Sequence, residues 1–177
     1  MNYYTHGGWF HADELMGYVI CRMAGEVDEL VRLEDYGSFI PTDGIVADIG
    51  MVYNPGLRRF DHHQGMMYRP NGYPYASAGL LWKEYGMAAI SNQLGLELDE
   101  GKMVEVWEYV DRNLMQGLDA HDSSNEYQHW AREGDNDVRV HSLSQVVSMY
   151  NSISNPIEGV VLVVSILTQV LETMMRK

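Results

Sequence analysis

Two short stretches crowded with histidine and aspartate limit what this chain can fold into more than any other feature: THGGWFHADE at residues 5–14 and FDHHQ at residues 60–64. His6, His11, Asp13, Asp61, His62 and His63 offer imidazole nitrogens and carboxylate oxygens at a density that a domain rarely concentrates without binding metal. A fold that uses both stretches must bring them to one place. Between them the apolar run GIVAD at 44–48 ends in Asp48 and meets the turn Ile49-Gly50, the pattern of a strand carrying a carboxylate to its exposed tip. Asp48 is a third ligand source and, central between the clusters, the natural bridge between two ions.

The spacing within each cluster narrows the chemistry. His6 and His11 lie five apart across Gly7 and Gly8, which suits a turning loop rather than one helix face. Asp13 stands near a predicted helix start, where a lone carboxylate is best read as a cap; beside two histidines, it reads as a ligand. Asp61, His62 and His63 follow one another and cannot all point the same way, so one histidine can bind metal while the next faces substrate. The plain alternative for FDHHQ is a solvated turn. Farther on, Asp119 and Asp122 are three apart on a helical stretch and share a face, which permits one of them to reach the centre; an exposed acidic helix end is the equal alternative. His129 and His141 have no partners in sequence and read as structural or surface residues. Oxygen and imidazole donors without thiolate favour manganese, magnesium, iron or cobalt over structural zinc, and no HExxH helix supports a metalloprotease. Two such ions sharing a carboxylate suit hydrolysis at phosphorus.

Apolar runs alternate with turns in the first half: short strands are expected at 2–4, 30–33, 45–48 and 57–60, with a helix at 13–23 whose Leu15, Met16, Val19, Ile20 and Met23 form one face. Strand, ligand loop and helix in that order predict a mainly parallel sheet with crossovers. From Ser77 the pattern becomes helical, over 77–85, about 99–122, 142–150 and 157–174, with 122–137 a polar excursion.

Composition excludes several classes. With 177 residues and 46% hydrophobic content, the chain suits one domain that buries a core without disulfides. Cys21, the single cysteine, falls in an apolar helical pattern and reads as a buried small hydrophobe. No basic leader and no run of about 18 apolar residues is present, so a cytoplasmic protein is expected, and the apolar segment 160–167 reads as a core helix. A net charge of −13 argues against a surface that holds long duplex nucleic acid.

At these residues the chain resembles the DHH phosphoesterase superfamily, and within it the melanocyte-proliferating-gene (MYG) branch. THGGWFHADE resembles the family's TH-x-G-x-FH-x-DE signature, RLED at 32–35 its RTRD, DIGMVY at 48–53 its DVGG-x-Y, and FDHHQ matches directly. The stretch 75–80 is similar to the SSAGL helix start, 118–122 to VDA-x-DN, and HSLSQVVSMYN at 141–151 to the TSLS segment. The resemblance implies an α/β domain of DHH type: a doubly wound, mainly parallel sheet flanked by helices, with a helical C-terminal half. It implies a dinuclear centre, usually of manganese, with magnesium or cobalt as alternatives, and phosphoester hydrolysis. His6, His11 and Asp48 would hold one ion; Asp13, Asp48, His62 and either Asp119 or Asp122 the other; His63 would face the scissile phosphate. Ser123-Ser124 replaces the family's asparagine-glycine there, which leaves that last choice open.

The expectation is a single DHH-like domain over 1–177, without the family's C-terminal substrate-binding domain. The function expected is a manganese-dependent phosphodiesterase or nuclease acting on short oligonucleotides or nucleotide-like diesters, with Asp48 and His63 catalytic and Arg58 or Arg59 gripping a neighbouring phosphate. A phosphatase or pyrophosphatase would use the same metals. A non-catalytic metal-binding module, such as a homo-oligomer subunit, is the reading from another class. Tyr68, Tyr73 and Tyr75, interleaved with Asn71, Pro70 and Pro74, offer surfaces for base stacking or serve as core or lid residues.

Overall fold

A computed structural model describes residues 1–37, 40–95, 98–123, 143, 147 and 163–169. Its centre is strand β1 (Asn2–His6), where Tyr3, Tyr4 and Thr5 are all buried because both faces of the sheet are covered. The chain leaves β1 through a glycine-bearing loop into helix α1 (Ala12–Met23) and returns as β2 (Glu29–Leu33), parallel to β1. It then crosses to the other side of β1 as β3 (Ile45–Ala47), also parallel. Two short strands complete the sheet: β4 (Tyr53–Asn54), antiparallel to its neighbour, and β5 (Arg59–Phe60), parallel to β3. The order is β2-β1-β3-β5-β4. Successive crossovers on opposite sides of β1 create a switch point, and such sheets bind ligands beyond the carboxyl ends of the strands on either side of it. Those ends here are His6, Asp48 and Asp61.

Helix α2 (Ser77–Leu94) packs on α1 and brings Leu80, Leu81 and Trp82 into a core shared with Leu15, Met16, Ile20 and Phe60. A methyl group at Gly17 would meet Leu81 and the Tyr3 hydroxyl, so glycine there sets how closely the two helices approach. Helix α3 (Glu100–Val110), capped by the Asp99 side chain at 3.0 Å from Lys102 N, runs into a π-helical turn at Asp111–Met115 and on into α4 (Gln116–Ser123).

The structure is the expected α/β fold, with a mostly parallel sheet and flanking helices. Its differences in detail have simple causes. The helix expected to end near 85 continues to Leu94 and stops at Gly95, which adopts the left-handed conformation of a C-cap. Leu57 belongs to a 3₁₀ turn, Pro55–Leu57, leaving only Arg59 and Phe60 in the strand. β4 was not anticipated, since two residues are too few to show a period. Of the later helices, Leu143, Val147 and the helical residues 163–169 are described, with Val147, Val163 and Leu167 in the core; the rest of 142–150 and 157–174, the excursion from 124 onward, His129 and His141 lie outside the described residues. No described helix is long and apolar enough to cross a membrane. Cys21 is fully buried, which pushes its thiol pKa up.

Candidate metal centre

Each ligand-bearing segment reaches the same end of the sheet for a local reason. His6 closes β1, and its Nδ1 lies 2.8 Å from the Gly7 carbonyl, which fixes the ring so that Nε2 faces inward. Gly8, in a left-handed conformation, turns the chain back towards α1, where His11 is the N-cap and Asp13 and Glu14 lie in the first turn. Asp48 leaves β3 with a left-handed backbone, as do Gly50 and Met51, a tight reversal that an aspartate tolerates better than most residues. Asp61 follows β5 and is buried. It accepts from the Met51 N–H at 2.5 Å and the His63 N–H at 3.0 Å, and its Oδ1 lies 2.7 Å from His63 Nδ1.

These placements produce three overlapping sets of ligand atoms, within each of which the atoms lie within 4.8 Å of one another: His6, His11, Glu14 and Asp48; Asp48, His62 and His63; and Asp13, His62 and Asp122. Asp48 belongs to two sets and His62 to two. His6 Nε2 and His62 Nε2 each lie 3.3 Å from an Asp48 oxygen, on opposite sides of one carboxylate, and His62 Nε2 is also 3.2 Å from Asp122. His6 Nε2, His62 Nε2 and Glu14 Oε2 are buried without a hydrogen bond of proper geometry. Buried donor atoms converging on one another without satisfying one another fit cations held between them.

The electrostatics follow from this crowding. Burial alone would lower the histidines, but contact with Asp48 and Glu14 raises His6 to about 11, and contact with Asp122 and Asp48 raises His62 to about 11. Burial also works to raise Asp48, yet its contacts with His6 and His62 outweigh that and hold it well below the usual carboxylate range. Asp13 is pushed up by burial and by the nearby charges of Asp122 and Asp48. The site is a concentration of negative charge that takes up protons where cations are absent.

Asp13 has a second task. Helix α2 begins at Ala76, which has no capping side chain, and its buried amino end needs acceptors. The Ser77 and Ala78 N–H groups donate to the Asp13 oxygens at 3.1 and 2.8 Å, and the Gly79 N–H donates to Asp119 at 3.0 Å. Asp13 therefore caps a helix other than its own, joining α1 to α2. Asp119 belongs to none of the ligand sets: its other oxygen accepts from Arg69 Nη2 at 2.7 Å. Burial pushes Asp119 up to about 7 against the pull of Arg69. Asp122, one turn on, points into the centre instead. Ser123 Oγ lies 3.4 Å from His62 Nδ1 and donates to the Tyr75 carbonyl at 3.2 Å, so the serine that departs from the family pattern helps orient His62.

Arg58 and Arg59 are not brought to this end of the sheet. Arg59 donates to the carbonyls of Pro41 at 2.7 Å, Gly44 at 3.3 Å and Arg58 at 3.1 Å, while Arg58 lies beside Met1 and 3.9 Å from Glu26. Arg58 precedes β5 and Arg59 opens it, so both lie at the strand entry, away from the strand exits that carry the candidate ligands.

Two contributors escaped the sequence reading. Glu14 is three residues after His11, a spacing that shares a helix face, and that was the available signal. Arg32 holds Glu14 at 3.0 Å, donates to the Gly8 and Trp9 carbonyls at 3.0 Å, and stacks 3.7 Å over the Phe10 ring, so it pins the whole first loop. Beside His62 and His63 a cavity of about 280 Å³ is lined by Gly65, Met66, Tyr75, Asp122 and Ser123. His63, its side chain 53% exposed, is part of the same lining.

With this geometry in view, the kinship of the chain is informative. The family model described as Uncharacterised protein family (UPF0160), the MYG1 exonuclease type, matches residues 3–160. This chain belongs to the MYG1 family. It is 31% identical over 130 residues to the MYG1 exonuclease of Bos taurus, covering 67% of this chain and 34% of that protein. The MYG1 exonuclease of Rattus norvegicus is 30% identical over 158 residues (83% and 41%), and the MYG1 protein of Chlamydia trachomatis 30% over 150 residues (83% and 43%). The alignments thus span between 34% and 43% of the length of these MYG1 relatives. No solved structure matches the chain.

Proposed function

We propose that this MYG1 chain is a manganese-dependent phosphodiesterase of DHH type, exonuclease-like, acting on short oligonucleotides or nucleotide-like diesters. The observation that carries the reading is Asp48, one buried carboxylate shared by two ligand sets. His6, His11, Glu14 and Asp48 would hold one ion, and Asp13, His62 and Asp122, with Asp48 between, the other. Two divalent cations held there would supply a nucleophile at neutral pH and positive charge for the phosphoryl oxygens. The chain's own residues do the rest. Asp61 orients His63 and raises its pKa by accepting its hydrogen bond, so that His63 presents a proton to the added negative charge on phosphorus. The exonuclease names of the relatives support a nucleic-acid substrate, and the net charge of −13 favours short over long ones. A cytoplasmic setting agrees with a single buried thiol.

The test is manganese-dependent cleavage of a labelled short oligoribonucleotide by the purified chain, beside Asp48→Asn, with pyrophosphate and a generic phosphodiester as competitors. Cleavage that is lost in the variant supports the reading. Turnover of pyrophosphate alone would replace it with a pyrophosphatase, and no turnover with metal bound would make the chain a binding module.

A further inference from the structure

A second cavity, about 650 Å³, shares Tyr75 as a wall with the 280 Å³ cavity beside His62 and His63. Its volume falls in the range of small-molecule sites, roughly 300–1,000 Å³. One wall is a tight hairpin: Tyr68 bridges Pro74, Arg69 N donates to the Tyr73 carbonyl at 2.8 Å, and Gly72 turns the chain in a left-handed conformation. The hairpin presents Tyr68, 58% exposed, and Tyr75. The facing wall comes from α2 and α3. There Trp107 donates its indole N–H to the Trp82 carbonyl at 3.1 Å and stacks on the buried Trp82 ring at 6.3 Å, so its free face is held rigid.

The charge at this cavity runs against the rest of the molecule. Arg69 is committed to Asp111 and Asp119 and adds no free charge. Lys83 forms no ion pair with a described residue and lies 5.8 Å from the Tyr75 ring, and Arg112 lies 3.7 Å from Glu108, which also lines the cavity. Lys83 and Arg112, opposed in the lining by Glu108 and the Arg69-bound Asp111, leave a positive excess beside three aromatic side chains on a chain of net charge −13, which forms a site for a ligand both flat and anionic.

We infer that this cavity binds a nucleotide, its base against Tyr68, Tyr75 and Trp107 and its phosphate at Lys83 and Arg112. Resting on the proposed phosphodiesterase, the shared Tyr75 wall makes the occupant the nucleotide next to the scissile diester. The preferred substrate is then at least a dinucleotide rather than a bare phosphoester.

The experiment is calorimetric titration of the full chain, in chelator, with adenosine 5′-monophosphate and with ribose 5-phosphate as the baseless control. Tyr68→Ala and Lys83→Ala, both at exposed positions, are run beside it after their circular dichroism is checked against the parent. The nucleotide should bind about tenfold or more tightly than ribose 5-phosphate, and each variant should lose about tenfold. Equal binding of the two probes, undiminished binding by both variants, or no nucleotide binding would overturn the inference. Nucleotide binding with no diester cleavage would remove the proposed function and leave this site, whereas dinucleotide cleavage without nucleotide binding would do the reverse.

Discussion

Arg69 and Asp119, fifty residues apart in the chain, meet in a buried ion pair at 2.7 Å. The same guanidinium reaches Asp111 at 2.8 Å and the Pro74 carbonyl at 2.6 Å, so one side chain fastens the hairpin to the helices that carry Asp122. Arg69→Met would leave two carboxylates buried without their cation. The expected loss is about 3–5 kcal/mol, measured by urea unfolding. A loss under about 1 kcal/mol would mean that the cluster is not structural.

Gly79 tests the same junction by size. Alanine ordinarily favours a helix interior over glycine by about 1 kcal/mol, but a methyl group here would collide with the Asp119 carboxylate and crowd Arg69. The collision should win, making Gly79→Ala destabilising by about 1–3 kcal/mol in thermal or urea unfolding. A stabilised variant would show that Asp119 moves aside freely.

Asp48→Asn removes charge shared by two of the three ligand sets. Titration with manganese should show weakened binding at both sites, because each loses the same carboxylate. If one site keeps its full affinity, Asp48 does not bridge.

His63→Ala should slow hydrolysis about 10²–10³-fold while the bound metal stays near its parent level, since His63 is exposed and oriented by Asp61. Loss of a whole metal equivalent would make His63 a ligand.

Protons and metal compete for one pair of histidines. His6 and His62 rise from 6.5 to about 11 in the metal-free fold, so their contribution to stability is full below pH 6.5 and declines as pH rises through about 11. Asp48 is lowered, so its contribution is present above 3.8 and is lost as pH falls through its folded value. The metal-free chain should lose stability from pH 6 to 9 while the gain in Tm on adding manganese grows over the same interval. A metal-induced gain that does not change with pH would show that no proton leaves these histidines on binding.

Much of the site was legible because its residues sit near chain reversals that sequence marks well. Gly7 and Gly8 between two histidines, and Asp48 at the end of a three-residue buried strand, announce their places through local pattern. The parallel sheet was legible too, from the order of strand, loop and helix. What stayed hidden depends on partners distant in the chain. Arg69 stands between Tyr68 and Pro70 with no motif around it, and only its folded neighbours at 111 and 119 give it meaning. Asp119 and Asp122 offered the same residue type on the same helix, and their separation came from Arg69 and the Gly79 N–H capturing one of them. Arg58 and Arg59 were misdirected because cationic side chains beside a ligand motif suggest phosphate, whereas the backbone carbonyls at 41, 44 and 58 had already engaged Arg59.

The π-helical turn at Asp111–Met115 sets the phase of α4, which follows it directly. A widened turn inserts one residue into a helix that otherwise advances about 100° per residue. Asp111, which opens the turn, and Asp119 after it can therefore face the same arginine, while Asp122 is delivered to His62. The turn works as a gear tooth between two lengths of helix. A one-residue deletion there would swing every side chain of α4 about 100° around the axis, misaligning Asp119 and Asp122 together in a way no single substitution could.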